Sequence, residues 1–172
     1  MERARVEVAG WVAADREERT VGRVAAGLLA RAVTDAGWRK GPDVETALAW
    51  LSEHAPVWEP TGAGVDLAGW YLATVACREA GGDAWNSWEK ALRVSVIAYQ
   101  RMDGGLCLTG GSWDPIGVWG AEGGRVFSTA TCGLICLIYY GGSPLREQHP
   151  RPLLDAPPAT DPLPERRYPT CR

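Results

Sequence analysis

Gly110-Gly111-Ser112-Trp113-Asp114-Pro115-Ile116-Gly117-Val118-Trp119-Gly120-Ala121-Glu122-Gly123-Gly124-Arg125 runs directly into Val126-Phe127-Ser128-Thr129-Ala130-Thr131-Cys132-Gly133-Leu134-Ile135-Cys136-Leu137-Ile138-Tyr139-Tyr140. The first half is turn chemistry: glycines, an Asp-Pro step, and Trp113 and Trp119 as apolar anchors. The second half is an almost unbroken apolar run that ends in two tyrosines. It is too short for a comfortable membrane span and contains Ser128, Thr129 and Thr131, so it reads as a buried core helix over roughly 126–140. Trp113 should be buried against that helix. The stretch speaks of architecture before it speaks of chemistry.

Upstream, the pattern is helix, turn, helix. Val6 to Ala14 forms a short first helix, and Asp15-Arg16-Glu17-Glu18-Arg19 breaks it. Thr20 can cap a second helix whose face is Val21, Val24, Leu28 and Ala32, with Gly37 as its C-cap. Asp43 can cap a third, with the stripe Val44, Ala47, Leu48 and Leu51, stopping before Pro56. Asp66 precedes a fourth, Leu67, Trp70, Tyr71, Thr74 and Val75, which Gly81-Gly82 ends. Asp83 can cap a fifth, where Trp85, Trp88, Leu92, Val96 and Tyr99 fall at steps of three and four. Arg101 to Gly124 is a long loop. No segment alternates with period two, so the expected fold class is all-α, with six helices in about three hairpins. Ala49-Trp50-Leu51, Gly69-Trp70-Tyr71 and Ala84-Trp85-Asn86 recur loosely, as in helical repeat arrays of about forty to fifty residues.

The chain of 172 residues suits one helical domain, 1–141, followed by a compositionally different segment, 142–172. Eight of the twelve prolines fall between Pro144 and Pro169, so that segment is expected to be an extended or disordered tail. Nine tryptophans stand against one phenylalanine. A net charge of −3 gives no global attraction to nucleic acid. Five irregularly spaced cysteines and an N-terminus without a long apolar stretch fit reduced thiols in the cytoplasm.

Three blocks carry a resemblance. The first is Ala26-Gly27-Leu28-Leu29 with Val44-Glu45-Thr46-Ala47-Leu48-Ala49-Trp50-Leu51. The second is Asp66-Leu67-Ala68-Gly69-Trp70-Tyr71-Leu72-Ala73-Thr74 with Gly81-Gly82-Asp83-Ala84-Trp85 and Trp88-Glu89-Lys90-Ala91-Leu92. The third is Gln100-Arg101, Gly111-Ser112-Trp113-Asp114-Pro115, Trp119-Gly120 and Gly123-Gly124-Arg125-Val126-Phe127-Ser128-Thr129-Ala130. In this order, over roughly Gly22 to Tyr140, they resemble the terpenoid cyclase and protein prenyltransferase superfamily, above all bacterial prenyltransferase and squalene oxidase repeat proteins, which are relatives of squalene-hopene cyclase. The resemblance implies an α/α toroid, here a partial one. The family's glutamine-tryptophan motif is similar to Gln100 with Gly111-Ser112-Trp113, at a longer spacing. In the family such a motif pins the loop between repeats, and the role is structural.

The family's chemistry is not matched. Squalene-type cyclases protonate an alkene with an Asp-x-Asp-Asp kind of motif, whereas Asp103, Asp114 and Glu122 stand singly in this sequence. Protein prenyltransferases hold zinc with Asp, Cys and His, and the two histidines, His54 and His149, have no such company. The resemblance therefore implies a fold without a catalytic residue, a cofactor or a metal. Cys132 and Cys136 share a helix face and with Cys107 could form part of a metal site, but buried small hydrophobes are the simpler reading.

Six residues remain as ligand-binding candidates. Trp70, Tyr71, Trp113 and Trp119 could line an isoprenoid pocket, together with Trp85, Trp88, Tyr139 and Tyr140, or they could simply fill the core. Asp114 could be an acid facing a cavity, or a turn or capping residue. Arg125, at a helix start, could hold a diphosphate or brace the loop. Three hairpins make about half of the ring that the family builds, which would leave apolar flanks at the open ends. The expected function is thus a repeat module, non-catalytic alone, acting in protein contact or assembly, with a second copy or a larger partner completing the ring. The alternative is an isoprenoid-binding or cyclase-like enzyme that is active only in the completed ring.

Overall fold

Five α-helices and one 3-10 turn make up the described part of the chain in this computed structural model, which describes residues 20–102, 109–141 and 145. The helices are α1 (Val21–Thr34), α2 (Pro42–Glu53), α3 (Leu67–Ala80), α4 (Gly82–Ser95) and α5 (Gly120–Gly141), and the 3-10 turn covers Ile97–Tyr99. No strand occurs among the described residues, and the fold is all-α. The helix expected over 6–14 and the Pro-rich tail, apart from Leu145, lie outside the described residues.

Alternate helices pack on one another. α3 lies against both α1 and α5, α2 lies against α4, and consecutive helices α1–α2 and α3–α4 also touch. The result is two rows, α1–α3–α5 and α2–α4. The first row closes tightly because Gly22 and Gly69 meet at the α1–α3 crossing, where a Cβ on Gly22 would stand 3.3 Å from the Gly69 Cα. One core runs through both rows, from Val24 and Leu28 through Val44, Leu51, Leu67 and Leu92 to Cys132 and Ile135. Six tryptophans are buried in it: Trp38, Trp58, Trp70, Trp85, Trp88 and Trp113.

Several helix ends differ from the expectation, each for a local reason. Thr20 caps α1 by accepting the Arg23 N–H at 3.2 Å, but α1 stops at Thr34, before Gly37. Asp35 is extended, and its carboxylate accepts the Gly37 N–H at 2.9 Å, a turn that redirects the chain and buries Trp38. Asp43 does not cap α2. Pro42 takes the first helical place, where a missing N–H is harmless, and the Asp43 carboxylate pairs with Arg31 of α1 instead. Asp66 does cap α3, accepting from Gly69 N–H at 3.0 Å. Gly81 serves as the C-cap of α3 and the N-cap of α4, so Asp83 falls in the first turn without a capping bond.

α4 ends at Ser95 rather than continuing to Tyr99. The Ser95 hydroxyl donates to the Pro56 carbonyl at 2.6 Å, and the 3-10 turn swings Tyr99 onto Trp58, ring centroids 5.3 Å apart. α5 contains a break at Gly124 (φ 61°, ψ −167°), so its continuous part begins at Arg125, close to the expected start. Only one side of it is core. Ser128, Thr131, Cys132, Ile135 and Ile138 are buried, whereas Val126, Leu134, Leu137 and Tyr140 are exposed. The apolar run is therefore a half-buried helix and not the fully buried one its composition suggested.

Candidate functional site

The loop that leads into α5 is closed at its base by paired backbone bonds. Arg101 N–H donates to the Ser112 carbonyl at 2.8 Å, and Gly111 N–H donates to the Arg101 carbonyl at 2.6 Å. The Gln100 amide donates to the Gly111 carbonyl at 2.8 Å, so the glutamine and the Gly-Ser-Trp segment meet in space across their long spacing. Trp113 follows and is 4% exposed. Its indole N–H donates to the Val96 carbonyl at the end of α4 (2.7 Å), and its backbone N–H donates to the Thr129 hydroxyl on α5 (3.3 Å). One residue thus fastens the loop to both neighbouring helices, the pinning role expected of it.

Asp114 stands between two arginines. Its Oδ1 accepts from Arg101 at 3.0 Å and lies 2.7 Å from a terminal nitrogen of Arg125. The other terminal nitrogen of Arg125 donates to the Ser112 hydroxyl (3.1 Å) and to the Trp113 carbonyl (3.2 Å). Burial pushes the Asp114 carboxyl up, but the hydrogen bonds and charges of Arg125 and Arg101 outweigh it and hold the group below the usual carboxylate range. A general acid for an alkene needs a proton at neutral pH, and this carboxyl has given its proton up. The Asp114 carboxylate joins two arginines, while its backbone carbonyl accepts the Ile116 N–H at 3.0 Å in the turn. Arg125 braces the loop, with both terminal nitrogens engaged.

Trp119 sits on the opposite bank of the loop. It is 46% exposed and is not the buried anchor the sequence suggested. Its indole N–H donates at 3.2 Å to Asp66, the carboxylate that caps α3. The loop approaches there because Gly117 has φ 81° and no side chain; a Cβ would collide with the Val65 carbonyl. Val118 N–H donates to that same carbonyl at 3.1 Å.

The six candidates therefore fall into separate settings. Trp113, Asp114 and Arg125 form one bonded cluster. Trp119 belongs to the α3 cap. Trp70 is buried with its ring 6.4 Å from that of Trp58, and Tyr71 is half-buried against the core. Of the other aromatics, Trp88 is fully buried and donates to the Thr74 hydroxyl at 3.0 Å. Trp85 lies under the Arg78 guanidinium at 4.6 Å, and Tyr139 and Tyr140 meet edge to face at 4.7 Å. Arg101 had no assigned role in the sequence; its place directly after Gln100 was the one available signal.

Of the described cysteines, Cys77 and Cys132 are buried and Cys136 is half-buried. Burial pushes Cys77 up to about 12 and Cys136 up to about 11, and raises Cys132 further still, with Cys136 adding to it. Burial thus holds these thiols protonated at neutral pH, which does not suit a nucleophile. No cluster of three metal-ligating side chains occurs among the described residues, and Cys107 lies outside them. Among the described residues no helix is long and apolar enough to cross a membrane.

The chain matches no known family model, no curated protein and no solved structure. The likeness to terpenoid cyclases and prenyltransferases rests on the three sequence blocks.

Proposed function

We propose that this chain is a helical repeat module of the squalene cyclase and prenyltransferase kind, not catalytic alone, that acts through protein contact or assembly. The outer face of α5 carries the reading. It ends a row of packed helices and presents Val126, Leu134, Leu137 and Tyr140 to solvent. Apolar side chains gathered on one exposed face mark an interaction surface more often than single scattered ones do. The alternating rows support a partial α/α toroid as the architecture. The ionised, doubly paired Asp114 weighs against acid catalysis by the single chain.

Incubation with squalene and with prenyl diphosphates tests this, followed by tryptophan fluorescence and product analysis. The expected result is no product and no saturable binding at micromolar ligand. Saturable binding accompanied by product would overturn the reading and put a cyclase-like enzyme in its place.

A further inference from the structure

We infer that residues 118–123 form a strap that swings away from the first turn of α3 as a unit, with Trp119 as its latch. The exposed face of α5 beyond Arg125 takes no part, so the strap stands apart from the contact reading above. The span contains the short turn of α5 ahead of its break. Both flanking residues are glycines in the left-handed half of backbone space, Gly117 at φ 81° and Gly124 at φ 61°. A side chain would resist such angles, whereas glycine passes between them and the right-handed region at little cost. Hinges are a few positions of this kind that absorb the change in φ and ψ.

Outside the two glycines the chain is held fast. Upstream, Trp113 is buried with its indole N–H on the Val96 carbonyl, and Asp114 joins Arg101 and Arg125. Downstream, Arg125 is engaged by Asp114, Ser112 and Trp113. Between the glycines the attachment is slight. Among the described residues two hydrogen bonds tie 118–123 to the body of the protein. Val118 N–H donates to the Val65 carbonyl at 3.1 Å, and the Trp119 indole N–H donates to Asp66 at 3.2 Å. The bonds from Gly120 N–H to Gly117 and from Gly123 N–H to Trp119 close turns of the span itself and travel with it. Val118 is 67% exposed and Trp119 46%, so little apolar surface opposes the swing. Gly120 is buried against Pro115, but it brings no side chain to that contact.

Opening returns the Val65 carbonyl and part of the Asp66 carboxylate to water. Asp66 keeps its capping bond from Gly69 N–H, so α3 stays intact. The N-terminal end of α3 is covered or bared according to the strap. Segments with few buried contacts and exposed hydrogen bonds open in this local way, well before the fold as a whole.

Amide hydrogen exchange of the full chain tests the strap, followed residue by residue by nuclear magnetic resonance at urea concentrations below the unfolding transition. The Val118 amide should exchange at least about 10-fold faster than the Arg101 amide, which bonds the Ser112 carbonyl at the base of the loop, once intrinsic rates are divided out. Its rate should hardly change with urea, because local opening exposes little surface. Trp119→Phe keeps an aromatic ring and removes the indole donor. It should speed Val118 exchange about 5-fold, the loss of one hydrogen bond, and leave Arg101 exchange and the circular dichroism unchanged. Equal rates at Val118 and Arg101, both rising with urea, overturn the strap, since the loop then opens only with the whole fold. Val118 exchange that Trp119→Phe leaves untouched overturns the inference as well, because Trp119 is then no latch.

Discussion

Trp113 and Trp119 stand six residues apart in one glycine-rich stretch, and each donates an indole hydrogen bond. Trp113 is enclosed by α4 and α5 and gives its bond to a helix-end carbonyl. Trp119 lies half in solvent and gives its bond to a carboxylate that already caps α3. The same residue type is a structural pin in one place and a surface clasp in the other. What separates them is the number of elements that converge on the ring. An indole fills space only where helices surround it, and its N–H contributes most where water cannot compete.

Removing the two rings should expose that difference most plainly. Trp113→Ala is expected to destabilise by about 3–5 kcal/mol in urea denaturation, as a buried aromatic cut back to a methyl. Trp119→Ala should cost about 1 kcal/mol or less, since its surface is already largely wet. Equal losses would erase the contrast. Next in size is Asp114→Ala, expected to cost about 1–2 kcal/mol because Arg101 and Arg125 lose a shared acceptor at a partly exposed position. Trp113→Phe should cost about 1 kcal/mol beyond the change in ring size, because the Val96 carbonyl loses its indole donor. Thr129→Val should have the smallest effect in the cluster, about 0.5–1 kcal/mol, for the long bond from the Trp113 amide.

The pH dependence sharpens the assignment of Asp114. Its carboxyl titrates below the ordinary carboxylate range in the folded chain. Its contribution is therefore complete above the unfolded-state value of about 3.9 and disappears as the pH falls through the lower folded-state value. Melting temperatures of the native chain and Asp114→Asn, measured from pH 7 downward, should differ at neutrality and converge below about pH 4. A constant gap across that range would show that the carboxylate charge contributes nothing.

Much of the architecture was legible because it depends on near neighbours in sequence. The three- and four-residue spacing of Val24 and Leu28 and of Trp85, Trp88 and Leu92 places each on a buried face. The caps at Thr20 and Asp66 follow from side chains that reach only three residues. The errors came where a distant partner competed. Asp43 pairs with Arg31 of α1, and Tyr99 stacks on Trp58. The site candidates were chosen by residue type, and type alone does not say whether a tryptophan or an arginine is already engaged.

The sequence by itself indicated the all-helical character of the described residues, the caps at Thr20 and Asp66, and the burial of Trp113, because these follow from local periodicity, side chains that reach only three residues and the volume of an indole. Only the tertiary structure decided that Asp114 and Arg125 hold each other, that Trp119 stays at the surface, and that one face of α5 is left facing water. An apolar run reads the same whether one side of it is covered or both. Coverage depends on how many helices reach that side, and this is fixed by the packing of the rows.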